Sequence, residues 1–281
     1  MAEITVALIK ELRERTGCGM MDAKRALQEY DGDVDKAIDE LRKKGELKAA
    51  KRAGRETAEG KVGIVIDGNV AAIVAVKSET DFTAGNDEFK ALVDNIAKAI
   101  HGAEGDPSEL AYAGGGTVGD AVKALVAKTG ENMQIGAHQR LTVDNGYFGS
   151  YLHSDGKLGV VVQIEGSDGS SDAEKALAKD IAMHAAATNP LGLAESDVPA
   201  DLVAKEKEIA LEQAKASGKP ENIQEKIAEG KVAAFFKEQT LLNQPFVKDT
   251  SVTIEQHVAN VAKETGKPLK LVAYSRIKVG E

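Results

Sequence analysis

The residues able to do chemistry are scattered along this sequence and do not converge. The histidines are His101, His138, His153, His184 and His257. None has a second histidine or a cysteine at metal-ligand spacing, so no zinc site is expected. The single cysteine, Cys18, excludes an intrachain disulfide. It sits between Gly17 and Gly19 in a tight corner, as a small filler more than an activated thiol. No G-x-S-x-G elbow is present for a serine hydrolase, and no G-x-x-x-x-G-K-[ST] loop for a nucleotide hydrolase. Gly114-Gly115-Gly116-Thr117-Val118-Gly119 fits G-x-G-x-x-G. It lacks a convincing strand before it, and Gln139 stands about 20 residues on, where a dinucleotide site needs an acid. The acids lie mainly on amphipathic stretches and read as solubilising charge. The sequence therefore calls for no catalytic residue and no cofactor, and favours a binding protein over an enzyme.

The stretch best suited to binding is Ser78-Glu79-Thr80-Asp81-Phe82-Thr83-Ala84-Gly85-Asn86. It joins the strand-like run Val70 to Val76 to a helical pattern, Glu88 to Ile100. A connecting turn is normally wet, so a phenylalanine there is either folded back into the core or offered to a partner. In the first case Thr80 or Asp81 caps the following helix and Phe82 staples it. In the second, Phe82 is a contact.

The elements that must hold this turn follow from periodicity. Residues 4–44 read as three short helices, marked by Leu8, Ile9 and Leu12, then Met20, Ala23, Ala26, Leu27 and Tyr30, then Val34, Ala37, Ile38 and Leu41. Thr16-Gly17-Cys18-Gly19 ends the first, and Asp31-Gly32-Asp33 breaks the second from the third. Met20 and Met21 are neighbours about 100° apart on a helix, so one of them is expected at the surface. Residues 46–59 form a basic linker with Lys48, Lys51, Arg52 and Arg55, read as a solvated face. An internal repeat follows. Its first copy runs from Gly60 through a turn at Asp67-Gly68-Asn69 into Val70, and a helix carries Phe89, Leu92, Val93, Ile96 and Ile100 on one face. Its second copy runs from Gly146 through Ser154-Asp155-Gly156-Lys157 into Leu158, with a helix from about Ala173 to Ala187. Met133–Val143 and Leu269–Val279 are the candidate third strands. Between residues 199 and 242, Leu202 and Ile209, a corner at Ser217-Gly218-Lys219-Pro220, and Ile223, Ile227, Phe235 and Phe236 predict an antiparallel helical hairpin. It either projects from the body or lies flat on it. The class is α+β. The divisions expected are a three-helix partner-binding module at 1–45, the linker at 46–59, core halves at 60–145 and 146–198, the hairpin at 199–242, and a return to the second half at 243–281.

The chain has 281 residues, is 42% hydrophobic, has no tryptophan, and carries a net charge of −9. That is enough chain for two or three domains. The acidic balance and scarce aromatics argue against a direct nucleic-acid surface. The start of the chain lacks a secretory signal and no run suggests a membrane span, so a cytoplasmic protein is expected.

Several motifs, in order, resemble the bacterial elongation factor Ts family. Leu12-Arg13-Glu14-Arg15-Thr16-Gly17-Cys18-Gly19-Met20-Met21-Asp22 resembles its N-terminal module, which implies a ubiquitin-associated-like fold. Glu79-Thr80-Asp81-Phe82 resembles its signature turn. Gly149-Ser150-Tyr151-Leu152-His153 and Asn243-Gln244-Pro245-Phe246-Val247 resemble two later signatures. The resemblance implies a guanine-nucleotide exchange factor whose partner is GDP-bound elongation factor Tu. Arg13, Met20 and Met21 would grip the partner's nucleotide domain. Thr80, Asp81, Phe82 and Thr83 would form the turn that disturbs its magnesium site, with His153 a weaker contact. The hairpin is also a candidate for self-association. Thr83 and Gly85 depart from the valine and the basic residue usual in the family, implying a smaller wedge on a looser loop. Met133-Gln134-Ile135-Gly136-Ala137 lacks the arginine pair that often follows Gly130-Glu131-Asn132, and the sequence stops at Glu281 without the extra helix of some members. Two other classes remain at this stage: a non-catalytic adaptor using the three-helix module, and a metal-dependent enzyme.

Overall fold

The computed structural model describes residues 4–281 apart from 217 and 219, and of residues 46–51 it describes the backbone only. Expectations resting on Met1 to Glu3, on the side chains of Lys48 and Lys51, and on Ser217 and Lys219 lie outside the described residues.

The N-terminal module is α1 (Val6–Thr16), α2 (Met20–Glu29) and α3 (Val34–Arg52). Thr5 caps α1 by accepting the Leu8 N–H, and Gly17 ends it with φ 66°, a left-handed angle that glycine adopts without a side-chain clash. Leu12, Ala23, Ala26, Leu27 and Ala37 close a small core between the three helices. The third helix is longer than its apolar pattern predicts, because it continues through the basic stretch to Arg52. Nor is that stretch simply a solvated face. Arg52 donates to the Val126 carbonyl at 3.5 Å, and Arg55 reaches both oxygens of Glu79 at 3.4 Å.

The first half of the core follows: β1 (Glu59–Asp67), β2 (Val70–Ser78), a one-turn helix α4 (Asp81–Gly85), α5 (Asp87–Gly102), α6 (Val118–Thr129) and β3 (Met133–Thr142). The second half has β4 (Gly146–Leu152), β5 (Leu158–Glu165) and α7 (Asp172–Thr188). The chain then leaves through α8 (Ala200–Ala216) and α9 (Glu221–Gln239). It returns by β6 (Pro245–Phe246), β7 (Asp249–Thr253), α10 (Ile254–Thr265) and β8 (Lys270–Lys278). Two three-stranded antiparallel sheets result, in the orders β1-β2-β3 and β4-β5-β8, beside a small β6-β7 pair, so both candidate third strands pair where the repeat requires.

The sheets face each other. Ala71, Ile73 and Ala75 of β2 and Val161 of β5 meet Val62, Phe148 and Ile277 in a central layer. Strand alternation sends Ala72, Val74 and Val76 to the other side, under α5, and Val160, Val162 and Ile164 under α7. The repeat extends to single glycines. A Cβ at Gly63 would stand 2.9 Å from Val93 Cγ1 of α5, and one at Gly149 would stand 2.3 Å from Ala178 Cβ of α7. Each glycine lets its helix lie close on the edge strand.

The helical hairpin is held together by a seam of Ala210, Ala214 and Ala228 with Ile227 and Val232. Ile223 is not in that seam; it is 39% exposed. The hairpin joins the body at its base, where the Leu191 N–H donates to the Gln239 carbonyl and the Leu241 N–H to Gly192. Among the described residues, no helix is long and apolar enough to cross a membrane.

Candidate functional site

The turn after β2 is built to hold its backbone fast and its ring outward. Thr80 is extended, and its hydroxyl accepts the Thr83 N–H at 3.3 Å, capping α4. Asn86 caps α5 separately by accepting the Glu88 N–H at 2.8 Å. The capping choice left open by the sequence is thus resolved into two caps for two helices. Phe82 staples neither: it is 87% exposed. Asp81 is exposed beside it in the first turn of α4, where the partial positive charge of the helix end favours an acid. Thr83 turns the other way and is buried, as is Ala84. A residue smaller than valine at position 83 therefore affects the packing beneath the turn, not the breadth of the exposed ring.

The module exposes both of its neighbouring methionines. Met20 is 60% exposed and Met21 64%. The sequence called for one of them at the surface; both are there, for a local reason. Both residues open α2, and the core begins one turn later at Ala23. Arg13 is exposed on α1, its guanidinium Nε donating to the Cys18 carbonyl at 3.4 Å. The last turn of α6 and the residues after it lie between module and turn. The Gly17 corner rests against the Lys128 side chain, Lys128 pairs with Glu88 of α5, and Glu131 receives hydrogen bonds from Thr80.

His153 approaches the same end of the first sheet from the second half. It is exposed at the tip of the β4–β5 hairpin, with Nδ1 3.0 Å from Asp155. That tip is tied to β1: the Val62 N–H donates to Gly156 at 2.8 Å, Lys61 donates to the Asp155 carbonyl, and Lys157 pairs with Glu59. Glu59 in turn pairs with Ser78, the last residue of β2. The hydrogen bond that Lys157 donates to Glu59, and then the charges of Glu59, Asp155 and Asp81, hold its ammonium above its ordinary pKa.

Apolar exposure gathers in these three pieces. Of nine large hydrophobic side chains exposed among the described residues, Val6, Met20, Met21, Phe82 and Leu152 belong to them. Exposed hydrophobes grouped in this way mark an interaction surface. No group of three or more metal-ligating side chains is present among the described residues.

The family model described as Elongation factor TS matches residues 79–281, starting at the first residue before the capped turn. This chain belongs to the elongation factor Ts family. It is thereby a translation elongation factor. Three Elongation factor Ts proteins illustrate the kinship over nearly the whole chain. That of Bartonella bacilliformis is 45% identical, covering 99% of this chain and 93% of its own. That of Rhizobium etli is 43% identical, covering 100% and 94%. That of Nitrobacter hamburgensis is 44% identical, again covering 100% and 94%. These relatives span the module as well as the core. Sequence reasoning picked out the ring and the methionines but passed over Glu131, Arg55 and Lys157. The first two act through contacts distant in sequence, and only the Gly130-Glu131-Asn132 run offered a trace of them.

Proposed function

We propose that this elongation factor Ts homologue is a guanine-nucleotide exchange factor, and that Phe82 is its wedge against GDP-bound elongation factor Tu. The observation that carries this reading is an almost fully exposed aromatic ring on a turn capped by Thr80. GDP is held by backbone donors and a bridging Mg²⁺, the largest local charge at such a site. A ring that enters beside the ion and shifts the groups orienting it weakens the hold on the phosphates. Burying that ring in the partner supplies roughly 1.5–3 kcal/mol toward the displacement. Met20, Met21 and Arg13 grip the nucleotide domain while the ring enters, and His153 with its hairpin tip steadies the same contact. Thr80 and Thr83 support the turn from behind. No bond is broken, so no acid, base or nucleophile is needed.

Coupling of this kind is reciprocal: a factor that lowers GDP affinity is itself displaced by GDP in the same ratio. The test is release of labelled GDP from elongation factor Tu with and without this chain. Acceleration that rises with factor concentration and reverses with excess GDP is expected. Unchanged release would end the reading.

A further inference from the structure

We propose that Glu131 is the positioning residue for the Phe82 wedge, setting the ring's aim without itself meeting the partner; this rests on the exchange reading above. Its carboxylate takes both donors of one residue. The Thr80 N–H donates to Oε2 at 3.1 Å and the Thr80 hydroxyl to Oε1 at 2.7 Å. A hydroxyl has one hydrogen, so giving it to Glu131 turns the oxygen's lone pairs toward the Thr83 N–H that it caps. The acid therefore fixes the cap, and the cap fixes the turn.

The turn needs such an anchor. Helix α4 has only five residues, far below the length at which a helix holds itself together. Thr83 and Ala84 seat its inner side in the core, while Phe82, 87% exposed, buries little that could fix its direction. Glu131 is well placed to supply that direction because it is itself held. The Glu131 N–H donates to Thr129 at 3.3 Å, just beyond the left-handed Gly130 that ends α6. The next residue clamps in the opposite sense: the Asn132 N–H donates to Glu79 at 2.6 Å, and its side-chain amide donates to the Arg55 carbonyl at 2.8 Å. The two loops thus exchange carboxylates, Glu131 onto Thr80 and Glu79 onto Asn132.

The experiment measures labelled GDP release from elongation factor Tu over a range of factor concentrations, using Phe82→Ala, Glu131→Ala, Glu131→Gln and the Phe82→Ala/Glu131→Ala double variant. A misaimed wedge lowers the maximal rate more than it raises the half-saturating concentration. We expect Glu131→Ala to cut the maximal rate about tenfold or more. Glu131→Gln should recover part of it, since the amide carbonyl can still accept the Thr80 N–H. The double variant should be no slower than Phe82→Ala alone, because the two residues act in series. A full maximal rate with Glu131→Ala, alongside a slow Phe82→Ala, would overturn the positioning role and leave the wedge standing. Additive losses in the double variant would also overturn it. A full rate with Phe82→Ala would sink wedge and positioning together. Should Glu131→Ala melt at a much lower temperature, the Gln variant and its amide exchange at Thr80 decide.

Discussion

The two halves of the core share one plan and treat the same connection in opposite ways. In the first half, the chain leaves β2 through a turn that sends Phe82 into solvent. In the second, it leaves β5 through residues 166–171, where Asp168 and Ser170 face solvent but Ser167 and Gly169 are buried. Glu174 is fully buried, accepting from the Ser171 hydroxyl and N–H at 2.6 and 3.0 Å and from Lys267 at 3.2 Å. Burial pushes its pKa up, but hydrogen bonds from Ser167 and Ser171 and then Lys267 overcome this and hold it at about 2. The Tyr147 ring lies against Gly169 and its hydroxyl donates to the Glu174 carbonyl at 3.2 Å. One duplicated strand-to-helix joint exposes an aromatic ring and the other buries a hydrogen-bonded acid. On the exchange reading proposed above, function lies in a departure between copies, not in the fold they share.

Paired substitutions can break that contrast. The largest effect is expected for Phe82→Ala: GDP release from elongation factor Tu falls about 10- to 100-fold, the equivalent of a ring burial worth roughly 1.5–3 kcal/mol. The melting temperature should hardly move, since the ring buries almost nothing in the free chain. The opposite profile is expected for Lys267→Met, which leaves Glu174 buried without its cation. Stability falls by about 2 kcal/mol while exchange at low temperature is kept. If both variants lose stability and exchange together, the division of labour between the joints is wrong. A smaller effect separates the two close-packed glycines. Gly149→Ala forces a Cβ into Ala178, whereas Gly63→Ala meets Val93 less tightly, so the first should melt lower by the equivalent of about 1 kcal/mol. Equal melting temperatures would mean that α7 shifts as freely as α5.

The duplicated core was legible in the sequence because glycine, alternating β-branched residues and Asp-Gly turns are local signals, and they recur in the same order. The three helices of the module were legible for the same reason. What failed is instructive. The fate of Phe82 was undetermined because one aromatic residue in a turn fits either an inward or an outward pose, and only tertiary packing chooses. The inward pose of Thr83 is the other face of that choice. The role of Glu131 was invisible because its partner, Thr80, lies 51 residues away and leaves no periodic trace. The hairpin seam was misjudged at Ile223, because the alanines that form it carry too little hydrophobicity to stand out from a helix rich in alanine.

The last and smallest contrast is in acid. His184 of α7 is buried, and its Nδ1 accepts the Val247 N–H at 3.2 Å. That fixes its proton on Nε2, which donates to Gln244 Oε1 at 2.9 Å. Gln244 also accepts from Thr188 at 2.8 Å and donates to the Glu238 carbonyl at 2.6 Å, in the last turn of α9. Burial lowers the His184 pKa below its ordinary 6.5, with the Gln244 contact opposing. His257, stacked on Phe246 at 4.5 Å, is likewise lowered by burial, against the charges of Asp180 and Asp249. For both, the unfolded chain binds a proton at higher pH than the folded one. Their stability is complete above the ordinary value and is lost as pH falls through the lower folded values. Both belong to the second half. Amide exchange followed between about pH 7 and pH 5, corrected for the intrinsic rate, should therefore lose protection in α7 and α10 before α5. The buried Glu174 of the second joint would then sit in the half that acid loosens first. Parallel loss in both halves would show that the copies unfold as one unit, and that the histidines weaken the whole core equally.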